Sequence, residues 1–375
     1  MPSTSQLVLP DSLAQWPWKR TINPHYAEVK AESDAWIQGL RAFGPKAQKA
    51  FDMCDFALLA ALTYPNLDKE ELRIGCDLIV LLFVFDDYSD QVDGEGVQAY
   101  VDMVMDAIHH PHKPRPAGES VVAEVARQFW LRTIKRACPG AQKHFIRVFT
   151  EYVTAVVEEA HDRFNDHVRS IESYMALRRR TGAPFTCFVP YELKANFPDE
   201  VIYHPEVVKL TNLAAESVVL TNDLYSYNIE QSAGHQNHNV VTAVMHEMRI
   251  PMDQAVAWIA RYHDEVLTQF LDIREKLPSF GEELDRHMAL YVDGLAHWIR
   301  GSDSWSFESK RYFGDKGLKI QEHRVVDLLP KVGMAFTPMM AITAEVPSEL
   351  TSPAMAPSSL VSSAMAAPSM PVAVM

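Results

Sequence analysis

From about residue 36 to residue 330, apolar side chains recur every three or four positions, and the strict alternation of a sheet is largely missing. That period predicts helices over 36–64, 69–89, 95–109, 118–137, 140–166, 168–181, 205–231, 237–249, 252–276 and 280–302. Turn signals fall between them: Pro65-Asn66, the stretch from Pro111 to Gly118, Pro139-Gly140, Phe197-Pro198-Asp199, Ile250-Pro251 and Leu277-Pro278. No internal repeat is evident, so the pattern predicts an all-α protein with one helical domain over 36–331. Residues 1–35 carry Pro10, Pro17, Pro24 and two tryptophans without a helical period, and read as a partly irregular segment able to cap an active site. Residues 332–375 are built from Ala, Met, Pro, Ser and Val, with Glu345 and Glu349 as their only charges, and read as a disordered low-complexity tail.

Charge narrows the function classes. The chain has 375 residues, 35 Lys+Arg against 49 Asp+Glu, and a net charge of −14. A nucleic-acid binder should carry a basic footprint, so that class is excluded. An acidic excess suits a protein that holds divalent cations. The cysteines Cys54, Cys76, Cys138 and Cys187 lack the spacing of a zinc site or a disulfide framework, which points to reduced thiols in a cytoplasmic protein. The first residues do not read as a secretory signal. The apolar run Leu78 to Phe85 is too short to span a bilayer, so no stable membrane insertion is expected.

That run ends in Asp86-Asp87-Tyr88-Ser89-Asp90. Residues apolar all round a helix are buried, and Asp86 and Asp90 share its face at i, i+4. Carboxylates gathered at the C-terminal end of a buried helix repel one another and oppose its dipole, unless a cation neutralises them. Hard oxygen donors suit Mg²⁺. A second group, Asn222, Ser226 and Glu230, forms one stripe at i, i+4, i+8. An amide oxygen, a hydroxyl and a carboxylate can fill part of an octahedral Mg²⁺ shell.

Arg178, in the run Arg178-Arg179-Arg180, and the pair Arg311-Tyr312 could bind phosphate oxygens. Phe83 lies one turn before Asp86, and Trp305 six residues before Arg311, where aromatic faces could stabilise cations. Taken singly, each has an ordinary explanation: a solvated helix end, a polar stripe facing water, or core packing. The combination carries the argument. A nucleophile elbow, a phosphate-binding glycine loop and a dinucleotide fingerprint are all absent.

In this order the motifs resemble those of class I terpene cyclases, most closely the fungal sesquiterpene synthases of the Δ6-protoilludene synthase group. The stretches that carry the resemblance include LPDSLAQWPWKR from Leu9, PHKPRP from Pro111, NDLYSYNIEQ from Asn222, HNVVTAVMHE from His238 and WSFESKRYF from Trp305. It spans roughly residues 8–331. The resemblance implies an α-bundle round an apolar cavity, with Asp86, Asp90, Asn222, Ser226 and Glu230 holding three Mg²⁺ at its mouth. Arg178, Arg311 and Tyr312 would bind diphosphate, and Phe83 and Trp305 would face carbocations.

The substrate implied is farnesyl diphosphate, closed 1,11 through a humulyl cation to Δ6-protoilludene, by a monomer or homodimer. The alternatives are 1,10 closure to another skeleton, a chain-elongating prenyltransferase, or a non-catalytic protein that binds prenyl diphosphates. Two departures stand out. Ile229 takes the place of a lysine that often precedes the final Glu, and the segment after Arg178 is shortened. Thr181 and Gly182 fall where the resemblance would place the positions that couple ionisation to the cavity.

Overall fold

The computed structural model describes residues 6–331. After a short strand β1 (Gln6–Val8) come α1 (Tyr26–Leu40), α2 (Pro45–Met53), α3 (Phe56–Thr63), α4 (Lys69–Ser89), α5 (Gly94–His109), α6 (Val121–Thr133) and α7 (Pro139–Phe164). There follow α8 (Ile171–Thr181), α9 (Pro184–Phe188), α10 (Asp199–Ile202), α11 (Pro205–Ala233), α12 (Val240–Met248), α13 (Met252–Arg274), α14 (Glu282–Glu308), α15 (Gly317–His323) and β2 (Val325–Asp327). No other strand occurs among the described residues, and the expected all-α bundle is what they form. The low-complexity tail read at 332–375 lies outside them.

Followed from neighbour to neighbour, the helix contacts close into a ring: α3 on α14, α14 on α11, α11 on α8, α8 on α7, α7 on α5, α5 on α6, α6 on α4, and α4 back on α3. α13 backs α11 from outside the ring. The long wall helices are sharply started. Asp68 caps α4 through a reciprocal capping box with Glu71. Pro205 opens α11 at its first turn, and Gly234 closes it at φ +82°, in the left-handed region that glycine adopts without strain. In α4, Leu78, Ile79, Leu81, Val84 and Phe85 are at most 1 % exposed, so this helix is surrounded as its run of apolar residues requires.

Three local expectations give way. The single helix expected over 36–64 is three helices. Gly44-Pro45 restarts the chain as a helix N-terminus, and Asp55, at φ +48°, turns it again while its side chain caps Leu58 N. The segment read as irregular up to residue 35 becomes α1 from Tyr26. β1 and β2 pair antiparallel, Leu7 opposite Val326, which ties the two ends of the described chain together. Ahead of α1 the chain lies along α14: Trp16 Nε1 donates to the Ala296 carbonyl at 3.2 Å, and Arg20 pairs with Glu308 at 2.5 Å.

α15 sits against the end of α14 so closely that a Cβ on Gly317 would stand 1.9 Å from the Phe307 carbonyl oxygen. Gly317→Ala must push α15 off α14, and is expected to cost about 1–3 kcal/mol of stability in thermal denaturation.

Candidate active site

The end of α4 presents its acids beside α7. Asp86 is partly buried, and Asp90, with 48 % of its side chain exposed, stands at the rim and pairs with Arg163 of α7 at 3.0 Å. Burial, then repulsion from Asp90 and Glu159, pushes the Asp86 carboxyl up to about 7. No hydrogen bond is among the forces opposing that rise, which are the charges of Arg311 and Arg178. The surrounding protein pushes Asp90 in the same direction, with water at its exposed side screening the effect.

Across from it, α11 carries Asn222, Ser226 and Glu230. Asn222 Oδ1 accepts from Arg178 Nη2 at 2.7 Å, and Asn222 Nδ2 donates to the Tyr312 hydroxyl at 2.7 Å. Ser226 Oγ donates to the Asp223 carbonyl at 3.3 Å. Glu230 Oε2 accepts from Asn239 Nδ2 at 2.9 Å, yet burial and the nearby Asp223 raise its carboxyl to about 7. Arg311 donates through Nε to the Tyr312 hydroxyl at 3.2 Å and lies over the Phe83 ring, 4.6 Å from its centroid. Its Nη1 is buried without a partner.

The ten residues singled out from the sequence thus lie in one neighbourhood. A continuous chain runs from Arg178 through Asn222 and Tyr312 to Arg311, with Asp86 in the field of both arginines. The two aromatics have other company as well. Phe83 stacks on Phe56 at 4.0 Å and carries Arg311 on its ring, while Trp305 Nε1 donates to the Cys54 and Asp55 carbonyls at 2.8 and 3.1 Å.

Three participants were not among the sequence candidates. Glu159 of α7 pairs with His238 at 3.1 Å. Burial pushes Glu159 up, but His238, Arg178 and Arg163 outweigh it and hold its carboxyl down to about 2. Asp223, 1 % exposed, accepts from Arg178 Nε at 2.9 Å, from Val240 N at 2.9 Å and from the Tyr174 hydroxyl. A single acid inside an amphipathic helix gives no signal of such pairing; only the adjacency of Asp223 to Asn222 could have flagged it. After Arg178, α8 stops at Thr181. Gly182 follows, where a Cβ would meet Val219 at 2.7 Å, and Ala183 turns left-handed at φ +55°.

The donors fit a magnesium–diphosphate group. They are oxygens of carboxylate, amide and hydroxyl, two of the carboxyls are raised toward neutrality by burial and by neighbouring carboxylates, and a buried guanidinium nitrogen lacks an acceptor. Among the described residues no three His, Cys, Asp or Glu side chains gather closely enough to hold a metal by themselves. Mg²⁺ commonly binds in this way, through one or two carboxylates and substrate phosphates.

These shifts have a consequence in the metal-free protein. A carboxyl raised in the folded state binds more protons folded than unfolded, so stability falls as pH rises between the unfolded and folded values. Thermal melts are expected to show this decline from about pH 4 to about pH 7, through Asp86 and Glu230 together. Mg²⁺ with inorganic diphosphate should reverse it.

Residues 77–269 match the family model described as terpene synthase family 2, C-terminal metal binding. The chain is 50 % identical over 326 residues to sesquiterpene synthase 14 of Postia placenta, covering 87 % of this chain and 93 % of that protein. It is 48 % identical to a Δ(6)-protoilludene synthase of Stereum hirsutum, covering 87 % and 88 %. It is 48 % identical to the Δ(6)-protoilludene synthase of Armillaria gallica, covering 88 % and 95 %. Among solved structures, germacradien-4-ol synthase from Streptomyces citricolor superposes with a TM-score of 0.67 at 25 % identity, covering 77 % of this chain and 96 % of that one. No described helix is long and apolar enough to cross a membrane.

Proposed function

We propose, because the chain belongs to the terpene synthase family, that it is a Mg²⁺-dependent sesquiterpene cyclase acting on farnesyl diphosphate. Asp86 and Asp90 on one side, and Asn222, Ser226 and Glu230 on the other, would hold three Mg²⁺. The observation that carries the reading is the hydrogen-bonded chain from Arg178 through Asn222 and Tyr312 to Arg311, which joins one cation motif to three donors suited to phosphate oxygen.

Arg178 and Arg311 orient the diphosphate and stabilise the charge that develops on it as the C1–O bond breaks. Tyr312 adds a hydroxyl donor to the same leaving group. Mg²⁺, when bound, supplies Lewis-acid stabilisation of that leaving group. The apolar residues of the ring exclude water, which would quench the allylic cation. Phe83 already carries Arg311 over its ring with Phe56 stacked against it, so of the two aromatics Trp305, beside Tyr312, is the one whose ring would stabilise positive charge near C1.

The relatives named Δ(6)-protoilludene synthases support attack on C1 by the distal C10–C11 double bond, a 1,11 closure to a humulyl cation, and cationic rearrangement that ends with loss of one proton to the released diphosphate, giving Δ6-protoilludene. Incubation of the purified protein with farnesyl diphosphate and Mg²⁺, with hydrocarbon analysis by mass spectrometry, tests both levels. Diphosphate release with a protoilludene skeleton is the expected result. A skeleton from 1,10 closure would overturn the ring assignment alone. No diphosphate release would overturn the enzyme.

A further inference from the structure

The oxygen of Asn222 is engaged by the protein itself. Arg178 Nη2 donates to it at 2.7 Å, and the guanidinium is fixed from behind by Nε to Asp223 Oδ1 at 2.9 Å. Asp223 is itself immobilised. Its carboxylate also accepts from Val240 N, at the start of α12, and from the Tyr174 hydroxyl on α8, while its backbone carbonyl accepts from Asn239 Nδ2 at 2.8 Å. Three helices therefore converge on one buried carboxylate, and that carboxylate aims Arg178 at Asn222. A metal cation and a guanidinium cannot both sit against the same amide oxygen, because two positive charges about 4 Å apart in a partly dry site repel strongly.

Resting on the reading of Asn222 as a cation ligand and Arg178 as a diphosphate ligand, we infer that Asp223 is a positioning residue. It holds Arg178 across Asn222 and keeps that oxygen closed to a bare cation until a diphosphate draws the guanidinium away. The consequence is ordered assembly. The Asn222–Ser226–Glu230 stripe fills only when the leaving group is present, because the same arginine serves both. Asp223 touches neither cation nor substrate in this scheme; it acts through Arg178.

The test is Mn²⁺ binding to the full chain, followed by electron paramagnetic resonance with no prenyl substrate, for the wild type, Asp223→Asn, Asn222→Ala and the double variant. Asn at 223 keeps an acceptor for Val240 N and removes the charge that anchors Arg178. Removing a carboxylate near a cation site should weaken binding on charge alone. The interlock requires the opposite: affinity about tenfold tighter, the order expected when one hydrogen bond to a charged group is released. It also requires that the gain disappear when Asn222 is Ala. Unchanged or weaker binding by Asp223→Asn overturns the inference, and so does a gain that survives in the double variant. Should Asp223→Asn fail to show a native circular dichroism melt, Arg178→Ala carries the same Asn222-dependent expectation, with the same result overturning it. The readout needs no turnover. Catalysis without the Mn²⁺ effect sinks the interlock alone, and the Mn²⁺ effect without catalysis sinks the proposed function alone.

Discussion

Asp86→Asn is expected to lower farnesyl diphosphate turnover by about a thousandfold while raising the melting temperature of the metal-free protein. Both effects have one cause. Asp86 lies in the last turn of α4, after two turns enclosed by apolar side chains, and its carboxyl is pushed to about 7 by burial and by Asp90. In the absence of a cation, an ionised carboxylate there is a cost to folding that a neutral amide of the same shape does not incur. With a cation, that charge is the ligand, and its loss removes transition-state stabilisation of the size seen for electrostatic catalytic groups, about 3–4 kcal/mol. The stability gain should be largest near pH 8 and shrink toward pH 5, where Asp86 in the wild type is already protonated. Paired thermal melts at those pH values, beside steady-state kinetics, check both halves.

Arg311→Ala is expected to lower kcat by about a hundredfold or more, with little loss of stability, and Arg311→Lys should recover little of it. Arg311 stacks on Phe83 and Tyr312 and holds one nitrogen buried without an acceptor. A buried cation with an unfilled donor adds little to folding, since its desolvation opposes its packing. Its geometry is suited to an incoming anion, and a guanidinium forks onto two phosphate oxygens where an ammonium cannot. Steady-state kinetics, with thermal melts on the same preparations, would read the separation of activity from stability.

What the chain disclosed in advance follows physical scale. α4 was legible because apolar residues on all sides ending in acids violate the ordinary logic of a helix, and α11 because Asn222, Ser226 and Glu230 recur at helical spacing. Both signals are local and periodic. Glu159 with His238 and Asp90 with Arg163 join residues more than seventy positions apart, and no period links them. Asp223 lay inside a motif already singled out, but one residue on from Asn222 it points round the helix toward α8 and α12, where three donors meet it. Of the two breaks that divide 36–64 into three helices, the first was written in Gly44-Pro45. The left-handed turn at Asp55 was not, since only its cap to Leu58 N makes that conformation worthwhile.

The most direct measurement is a crystal structure of the protein with Mn²⁺ and inorganic diphosphate, the metals located by anomalous scattering. The account expects manganese on Asp86 and on Asn222, Ser226 and Glu230, bridged by one diphosphate that Arg178, Arg311 and Tyr312 also hold. Metal on one of the two motifs alone, or diphosphate bound away from those three donors, would contradict it.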